Sequence, residues 1–145
     1  MIIISTPFSS VYTKANLLFD DAPLLSSLTD SEYDDLLELF LDNSTSVQFK
    51  SCKIDLTDID DTLKQFNETL SSEEQWILAY GIRLVWLERK LYKEENLRNR
   101  ITPKDYTSFS GGNLIEKLTV LRDRTEKDLK NKINSYSFND FEGFN

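Results

Sequence analysis

The stretch that most constrains the fold of this chain covers residues 71–96, SSEEQWILAYGIRLVWLERKLYKEEN. It begins with two serines followed by two glutamates, a combination typical of the first turn of a helix. Within residues 76–87 only Gly81 and Arg83 are neither apolar nor aromatic. A helix that is apolar on nearly every side must be covered by other elements. The sequence therefore predicts a mainly α fold, a small helical bundle around a central helix at about 72–95.

The central helix supplies most of the predicted core. A glycine inside a helix costs roughly 1 kcal/mol relative to alanine, so Gly81 indicates that a second helix approaches closely there. Arg83 leaves two alternatives open: its side chain reaches solvent, which we favour, or it pairs with a carboxylate of the helix expected at 30–42. The predicted core residues are Trp76, Tyr80, Gly81, Leu84, Leu87, Leu118 and Leu121.

Composition supports a helical domain and narrows the chemistry. The 145 residues include only four glycines and three prolines, too few for the many tight turns of a β-sandwich or barrel. The absence of histidine removes the commonest general base and most zinc sites. The single cysteine, Cys52, excludes an internal disulfide and a thiolate metal cluster. The composition therefore argues against an enzyme and against most metal sites, and it leaves carboxylate, lysine or tyrosine chemistry open.

The sequence also bears on the compartment. No stretch reaches the roughly 18 apolar residues of a membrane span. The N-terminal sequence MIIISTPFSS lacks the basic residues and the longer apolar run of a signal peptide. We expect a soluble protein that is made in the cytoplasm and has no membrane partner.

Charge is unevenly distributed along the chain, whose net charge is −8. Residues 1–75 contain 4 basic and 15 acidic side chains, whereas residues 76–145 contain 13 basic and 10 acidic ones. Such an asymmetry favours ordered contacts between neighbouring copies, although chance clustering on a solvated surface accounts for it equally well. The strongly acidic balance argues against nucleic-acid binding through a broad basic patch.

Two further helices are predicted on either side of the central one. Residues 29–32, TDSE, form a capping box and begin an amphipathic helix that continues to about residue 42. A last helix, from Leu114 to about Tyr136, has apolar residues at three- and four-residue spacings. The three helices define a helical domain over residues 29–136.

Residues 1–28 are predicted to form an extended N-terminal arm with one short helix. Pro7 suits the first position of a helix, and the apolar residues from Phe8 to Leu18 have roughly helical spacing. The sequence DDAP at 20–23 then interrupts the pattern. The apolar residues of the arm need cover, which comes either from the core of the same chain or from a neighbouring subunit.

The segment over residues 47–70 is ambiguous. Apolar residues that alternate with polar ones over 47–56 allow a short strand, and a continued helix competes with it. Thr57, followed by three aspartates within four residues, predicts a new helix, because carboxylates favour the positive end of the helix dipole. The buried face of that helix would contain Ile59, Leu63 and Phe66.

The acidic cluster at 55–61 also suggests a calcium loop. Counted from Asp58, however, Leu63 stands where an EF-hand needs glycine, and Thr69 stands where it needs glutamate. The spacing therefore favours helix capping over metal binding.

Two further segments bear aromatic residues that the helices leave unassigned. Residues 96–112 contain Pro103 and end in two glycines, so a long loop is predicted. Residues 137–145 continue neither a helical nor a strand pattern and are predicted to form a C-terminal aromatic tail. These aromatics either pack on the core of the same chain or contact a partner, and for the tail we favour a neighbouring subunit. The candidate partner or subunit contacts are Phe8, Tyr12, Phe19, Tyr106, Phe109, Tyr136, Phe138, Phe141 and Phe144.

Three stretches together resemble a known class of viral proteins. They are WILAYGIRLVWLERKL, ENLRNRITPKDYTSFS and NLIEKLTVLRDRTEKDLKNKINSYSF. Over roughly residues 30–138 the chain resembles the head-to-tail connector proteins (adaptor or head-completion neck proteins) of tailed bacteriophages of Gram-positive hosts. The resemblance rests on overall layout and carries no catalytic signature.

The resemblance implies a structural virion protein of the phage neck that is assembled in the host cytoplasm. Proteins of this class are mainly helical and form a ring, commonly of twelve copies, beneath the portal protein. They extend the channel through which DNA passes without sequence-specific binding, and they have no enzymatic activity and no cofactor. The acidic half would face the channel. The arm, loop and tail would hold neighbouring copies, the portal protein, or a tail-side neck or tail-terminator protein.

Two other functions remain open at this point. One is a small acidic phage regulatory protein that binds a host factor through its acidic surface. The other is a small enzyme that uses the carboxylates of Asp58, Asp60 and Asp61. A measurement of mass separates a ring from a monomeric regulator, and alanine substitution of the aspartates tests the enzyme.

Overall fold

The computed structural model describes residues 5–18, 29–42, 49, 52–102, 104 and 114–142, with the backbone alone for 139–142. These residues form four helices and one small sheet, so the predicted mainly α fold is confirmed. In chain order the elements are β1 (Thr6–Pro7), α1 (Phe8–Leu18), α2 (Asp30–Asp42), β2 (Ile59–Asp60), β3 (Gln65–Phe66), α3 (Ser72–Arg100) and α4 (Leu114–Glu142).

The central helix α3 is present as predicted and is packed by α1, α2 and α4. Its start is fixed by a capping box, in which Ser71 accepts from the Glu74 backbone N–H and the Glu74 carboxylate accepts from the Ser71 N–H. The helix ends at Arg100, five residues beyond the predicted end. Arg98 and Arg100 lie in its last turn, where cations interact favourably with the helix dipole. The predicted loop over 96–112 is therefore wrong over its first five residues.

Helix α2 confirms the predicted amphipathic helix and its capping box. The Thr29 hydroxyl accepts from the Glu32 N–H at 3.2 Å, and the Glu32 carboxylate accepts from the Thr29 N–H at 3.0 Å. Phe40 of this helix lies directly against Gly81, since a Cβ on Gly81 would stand 2.6 Å from two ring carbons of Phe40. The predicted close helix approach at Gly81 is confirmed.

Helix α1 confirms the short helix predicted within the N-terminal arm and decides between the two kinds of cover left open for it. Phe8, Val11, Tyr12 and Ala15 are buried in the same core as α2 and α3. Phe8 and Tyr12 are each only 6% exposed, so they are not available as contacts for a partner. The cover that this stretch needs therefore comes from the chain itself.

The small sheet joins the start of α1 to the start of α3. Its strands are antiparallel in the order β1-β3-β2, and both Thr6 and Ile59 are in register with Phe66. The Thr6 hydroxyl donates to the Glu68 carbonyl at 3.1 Å and accepts from the Leu70 N–H at 2.8 Å. Phe66 is fully buried and packs edge-on against Phe8.

The predicted helix after Thr57 is wrong, because the acidic residues there stabilise turns. The Asp55 carboxylate accepts from the Thr57 N–H at 3.0 Å, and the Asp60 carboxylate accepts from the N–H groups of Thr62 and Leu63 at 2.9 Å. Short polar side chains that bind nearby backbone groups compete with helix formation. Of the predicted buried face, only Phe66 is buried; Ile59 is 36% and Leu63 64% exposed.

Helix α4 corrects the prediction of a separate aromatic tail. It continues to Glu142, six residues beyond the predicted end, so residues 137–142 are helical. Tyr136 is 6% exposed and belongs to the core, which removes it from the candidate partner contacts. Residues 143–145 lie outside the described part of the chain.

The predicted core is largely confirmed. Gly81, Leu84, Leu87 and Leu118 are buried, and Trp76, Tyr80 and Leu121 are half-buried. Arg83 contradicts both alternatives that the sequence left open. It is 7% exposed and, instead of reaching solvent or an α2 carboxylate, its guanidinium donates to the Thr125 hydroxyl at 3.2 Å and to the Leu18 carbonyl.

Candidate interaction surfaces

The aromatic residues predicted as partner contacts are not brought together on one surface where the structure describes their side chains. Phe138 is the one among those with described side chains that is exposed, at 59%; Phe8, Tyr12 and Tyr136 are buried. For Phe141 the structure describes the backbone alone. The predictions for Phe19, Tyr106, Phe109 and Phe144 lie outside the described residues.

A groove of about 590 Å³ lies between α2 and the β2–β3 hairpin, and we call it the acidic groove. It contains apolar side chains together with four carboxylates and a single lysine. Its lining residues are Phe8, Asp34, Leu37, Glu38, Leu41, Asp42, Leu56, Thr57, Ile59, Asp61 and Lys64. Its volume is within the range of about 300–1,000 Å³ that is usual for binding sites.

The acidic groove has an apolar floor and a charged rim. Leu37 is 2% exposed, whereas Glu38, Asp42 and Asp61 are exposed. Lys64 Nζ lies 4.0 Å from an Asp34 carboxylate oxygen. Within the described residues no ion pair engages the other three carboxylates, so the rim presents uncompensated negative charge.

The carboxylate of Asp34 is also fixed by a buried tyrosine of α1. The Tyr12 hydroxyl donates to its carboxylate, and the Tyr12 ring stacks on Tyr33 with the ring centres 5.0 Å apart. Burial, reinforced by Asp34, raises the pKa of Tyr12 far above its usual range, so its hydroxyl stays protonated and remains a donor. The inner edge of the acidic groove is therefore fixed in position by α1.

The second charged surface is a face of α3 beyond the middle of the helix, and we call it the basic stripe. Arg89, Tyr92, Lys93 and Arg100 lie at spacings of three, four and seven residues, which places them along one side of the helix. All four are exposed, and Tyr92 is 67% exposed. A basic face interrupted by an exposed aromatic is typical of a surface that contacts an acidic partner.

One edge of the basic stripe approaches the acidic start of α2. Arg89 and Lys93 share a cleft of about 190 Å³ with Glu32, Asp35 and Trp86. In the described part of the chain these two cations form no ion pair with either carboxylate within 4.0 Å. The cations therefore remain available to a partner.

A buried polar cluster joins three distant parts of the chain. The Glu74 carboxylate, on a residue 4% exposed, accepts from the Tyr136 hydroxyl at 2.6 Å and from the Cys52 thiol at 3.5 Å. The Tyr136 hydroxyl in turn accepts from the Lys53 N–H at 3.0 Å. This cluster ties the start of α3 to α4 and to the segment before the hairpin, a structural role.

We expect the cluster to make stability fall at alkaline pH. Burial, with a contribution from Glu74, raises the pKa of Cys52 from 9.0 to about 12, and the pKa of Tyr136 is raised by the same two causes. Between pH 9.0 and about 12 the unfolded thiol has lost a proton that the folded one retains, so stability decreases as pH rises. Urea unfolding of wild type and Cys52→Ala at about pH 8 and about pH 11 measures this. An equal loss in both proteins would contradict the role of Cys52.

Surface ion pairs on α4 include one that reaches α3. Arg122 of α4 lies 3.2 Å from Glu88 of α3, and within α4 it lies 3.2 Å from Glu126, which also pairs with Lys130 at 3.0 Å. These side chains are partly exposed, and such pairs contribute only about 0–1 kcal/mol each. They add a little stability and do not form a site.

The described residues contain no group of three or more His, Cys, Asp or Glu side chains arranged to hold a metal ion. None of their helices combines the length and the apolar character needed to cross a bilayer.

Comparison with models of protein families, with curated proteins and with solved structures finds no match. Sequence reasoning missed both surfaces. The groove depends on a hairpin that was predicted as a helix. The basic stripe lies partly in residues 96–100, which were predicted as loop. The helical spacing of Arg89, Lys93 and Arg100 is the signal that could have revealed it.

Proposed function

We propose that this chain is a structural virion protein of a tailed-phage neck. It forms a ring that joins the portal and head to the tail and extends the DNA channel, and it performs no catalysis and carries no cofactor. The resemblance over residues 30–138 and the mainly α fold support this function. Twelve copies is the ring size that the resemblance implies.

The observation that carries the proposal is the presence of two charged surfaces of opposite sign on one small helical body. The acidic groove has four carboxylates against one lysine, and the basic stripe has three exposed cations around Tyr92. Contacts between two different surfaces of identical chains generate a ring when the rotation between copies closes. Such a chain is suited to repeated contacts with its own copies.

The net charge of −8 is compatible with a channel protein. Negative walls repel the phosphate backbone of passing DNA, whereas basic patches would retain it. In the proposed ring the cations of the basic stripe are occupied by carboxylates of neighbouring copies, which leaves an acidic balance toward the DNA.

The test is a measurement of mass combined with localisation in the particle. We expect native mass spectrometry of the purified chain, alone and mixed with portal protein, to give closed oligomers. We expect electron microscopy of virions to place the chain between portal and tail. A chain that stays monomeric under both conditions and is absent from the neck would overturn the proposal.

A second candidate function is a monomeric acidic regulator of a host factor. The exposed carboxylates Glu38, Asp42 and Asp61 favour it, since a basic host protein fits such a rim. A stable monomer that is absent from purified virions and co-purifies with one host protein would support this function over the ring.

A further inference from the structure

The acidic groove and the basic stripe are complementary in charge and in polarity. The groove has an apolar floor that includes Leu37, Leu41 and Ile59, with Glu38, Asp42 and Asp61 on its rim. The stripe presents one exposed aromatic ring, Tyr92, flanked by Arg89 and Lys93. An aromatic side chain with adjacent cations matches an apolar floor with adjacent carboxylates.

The two surfaces cannot meet within one chain. Helix α2 stands between them. Asp34, Glu38 and Asp42 line the groove and follow one another at four-residue spacing, which places them on one side of α2. Glu32, Asp35 and Leu36 lie on another side of α2 and share a cleft with Arg89 and Lys93 of the stripe.

We propose that the acidic groove of one copy binds the basic stripe of a second copy of this chain. Tyr92 of one copy enters the groove of the next, and Arg89 and Lys93 lie against the carboxylates of Glu38 and Asp42. The inference rests on the proposed ring and assigns the contact that builds it. The contact is heterologous, since each copy uses its groove toward one neighbour and its stripe toward the other.

The charge of the contact has a measurable consequence. The rim carboxylates and the stripe cations are exposed, so salt screens their attraction, with a Debye length of about 10 Å at 0.1 M and about 3 Å at 1 M. Self-association of the wild type therefore weakens as the salt concentration rises.

Exchange of the charges between the two surfaces tests the proposal. In the groove variant, Glu38→Lys and Asp42→Lys reverse two exposed carboxylates of α2. In the stripe variant, Arg89→Glu and Lys93→Glu reverse two exposed cations of α3. Each variant alone repels its own copies, and we expect self-association to weaken by about tenfold or more. An equimolar mixture of the two variants has complementary surfaces at every contact and recovers assembly.

A control variant and the possible outcomes distinguish failure of the assigned contact from failure of the proposed ring. The variant Arg124→Glu with Lys127→Glu makes the same charge change as the stripe variant on the exposed face of α4, and it assembles like wild type. Circular dichroism checks that each variant is folded. If the wild type and both reversed variants assemble equally, the assigned contact is wrong while the ring stands. If the wild type itself never assembles, the proposed ring fails, and this inference fails with it.

A cross-linking experiment tests proximity independently of charge. Copies carrying Ile59→Cys are mixed with copies carrying Tyr92→Cys, and a short bismaleimide is added. We expect a covalent dimer in the mixture. Burial raises the pKa of the native Cys52 to about 12, so that thiol reacts slowly at neutral pH. Leu17→Cys, at a residue 57% exposed on α1, replaces Tyr92→Cys as the control. An equal dimer yield from this control would overturn the proposed contact.

Discussion

Gly81→Leu is expected to lower the free energy of unfolding by about 1–3 kcal/mol, because it forces extra volume into a packed contact. Even a Cβ at this position would lie 2.6 Å from two ring carbons of Phe40, closer than carbon atoms approach one another. The ring is 2% exposed and is enclosed by the core, so it has little room to move. Either α2 shifts away from α3 or the Phe40 side chain leaves its position.

Urea unfolding of the wild type, Gly81→Leu, Phe40→Leu and the double variant measures this coupling. Phe40→Leu alone removes ring atoms and destabilises through the cavity it leaves. The double variant gains space for the new side chain, so its loss is smaller than the sum of the two single losses. Additive losses would show that the two residues do not share this space. Unchanged stability of Gly81→Leu would mean that the helices do not approach closely there.

The helices that the sequence predicts best are those whose starts have capping chemistry. Ser71 and Thr29 each begin a helix three residues before a glutamate that completes a capping box, and both boxes form. The helix ends were harder to predict. Residues 96–100 and 137–142 contain no strong stop signal, and both helices continue through them.

The hairpin could not be predicted from local pattern, because the same residue types serve two structures. Aspartates after a threonine favour the first turn of a helix, and they equally well accept from backbone N–H groups in turns. The choice is made by contacts distant in sequence. Pairing of Phe66 with Thr6 in the sheet selects the strand, and the packing of Phe66 on Phe8 buries its ring.

The aromatic residues at both ends of the chain show a second limit of prediction from the sequence. Three of these rings pack on rings distant in sequence: Phe8 on Phe66, Tyr12 on Tyr33 and Tyr136 on Phe49. The sequence does not reveal these contacts. Tyr136 reaches Glu74, a residue that was predicted only as a helix-start signal. Burial of these three rings moves the candidate contacts from aromatic extensions to the charged surfaces of α2 and α3.

The acidic half and the basic half of the sequence form two separate surfaces in the fold. The acidic half of the chain contributes α2 and the hairpin, which form the acidic groove, and the basic half contributes the exposed end of α3. A random scatter of charge would place carboxylates beside cations throughout. The separation of the two surfaces on different sides of α2 instead allows a contact between copies in which each surface is used once.

Arg83→Ala is expected to lower the free energy of unfolding by about 2–4 kcal/mol, because hydrogen bonds from a charged group contribute about 1.5–3 kcal/mol each. The buried guanidinium donates to Thr125 of α4 and to the Leu18 carbonyl at the end of α1, where a positive charge also interacts favourably with the helix dipole.

Two further variants serve as comparison and control. Arg83→Met retains most of the apolar stem and therefore loses less stability than Arg83→Ala. The exposed Arg89→Ala, as control, stays within about 0.5 kcal/mol of wild type. Thermal and urea unfolding measure all three. If Arg83→Ala behaves like Arg89→Ala, the arginine does not join α1 and α4 to the central helix.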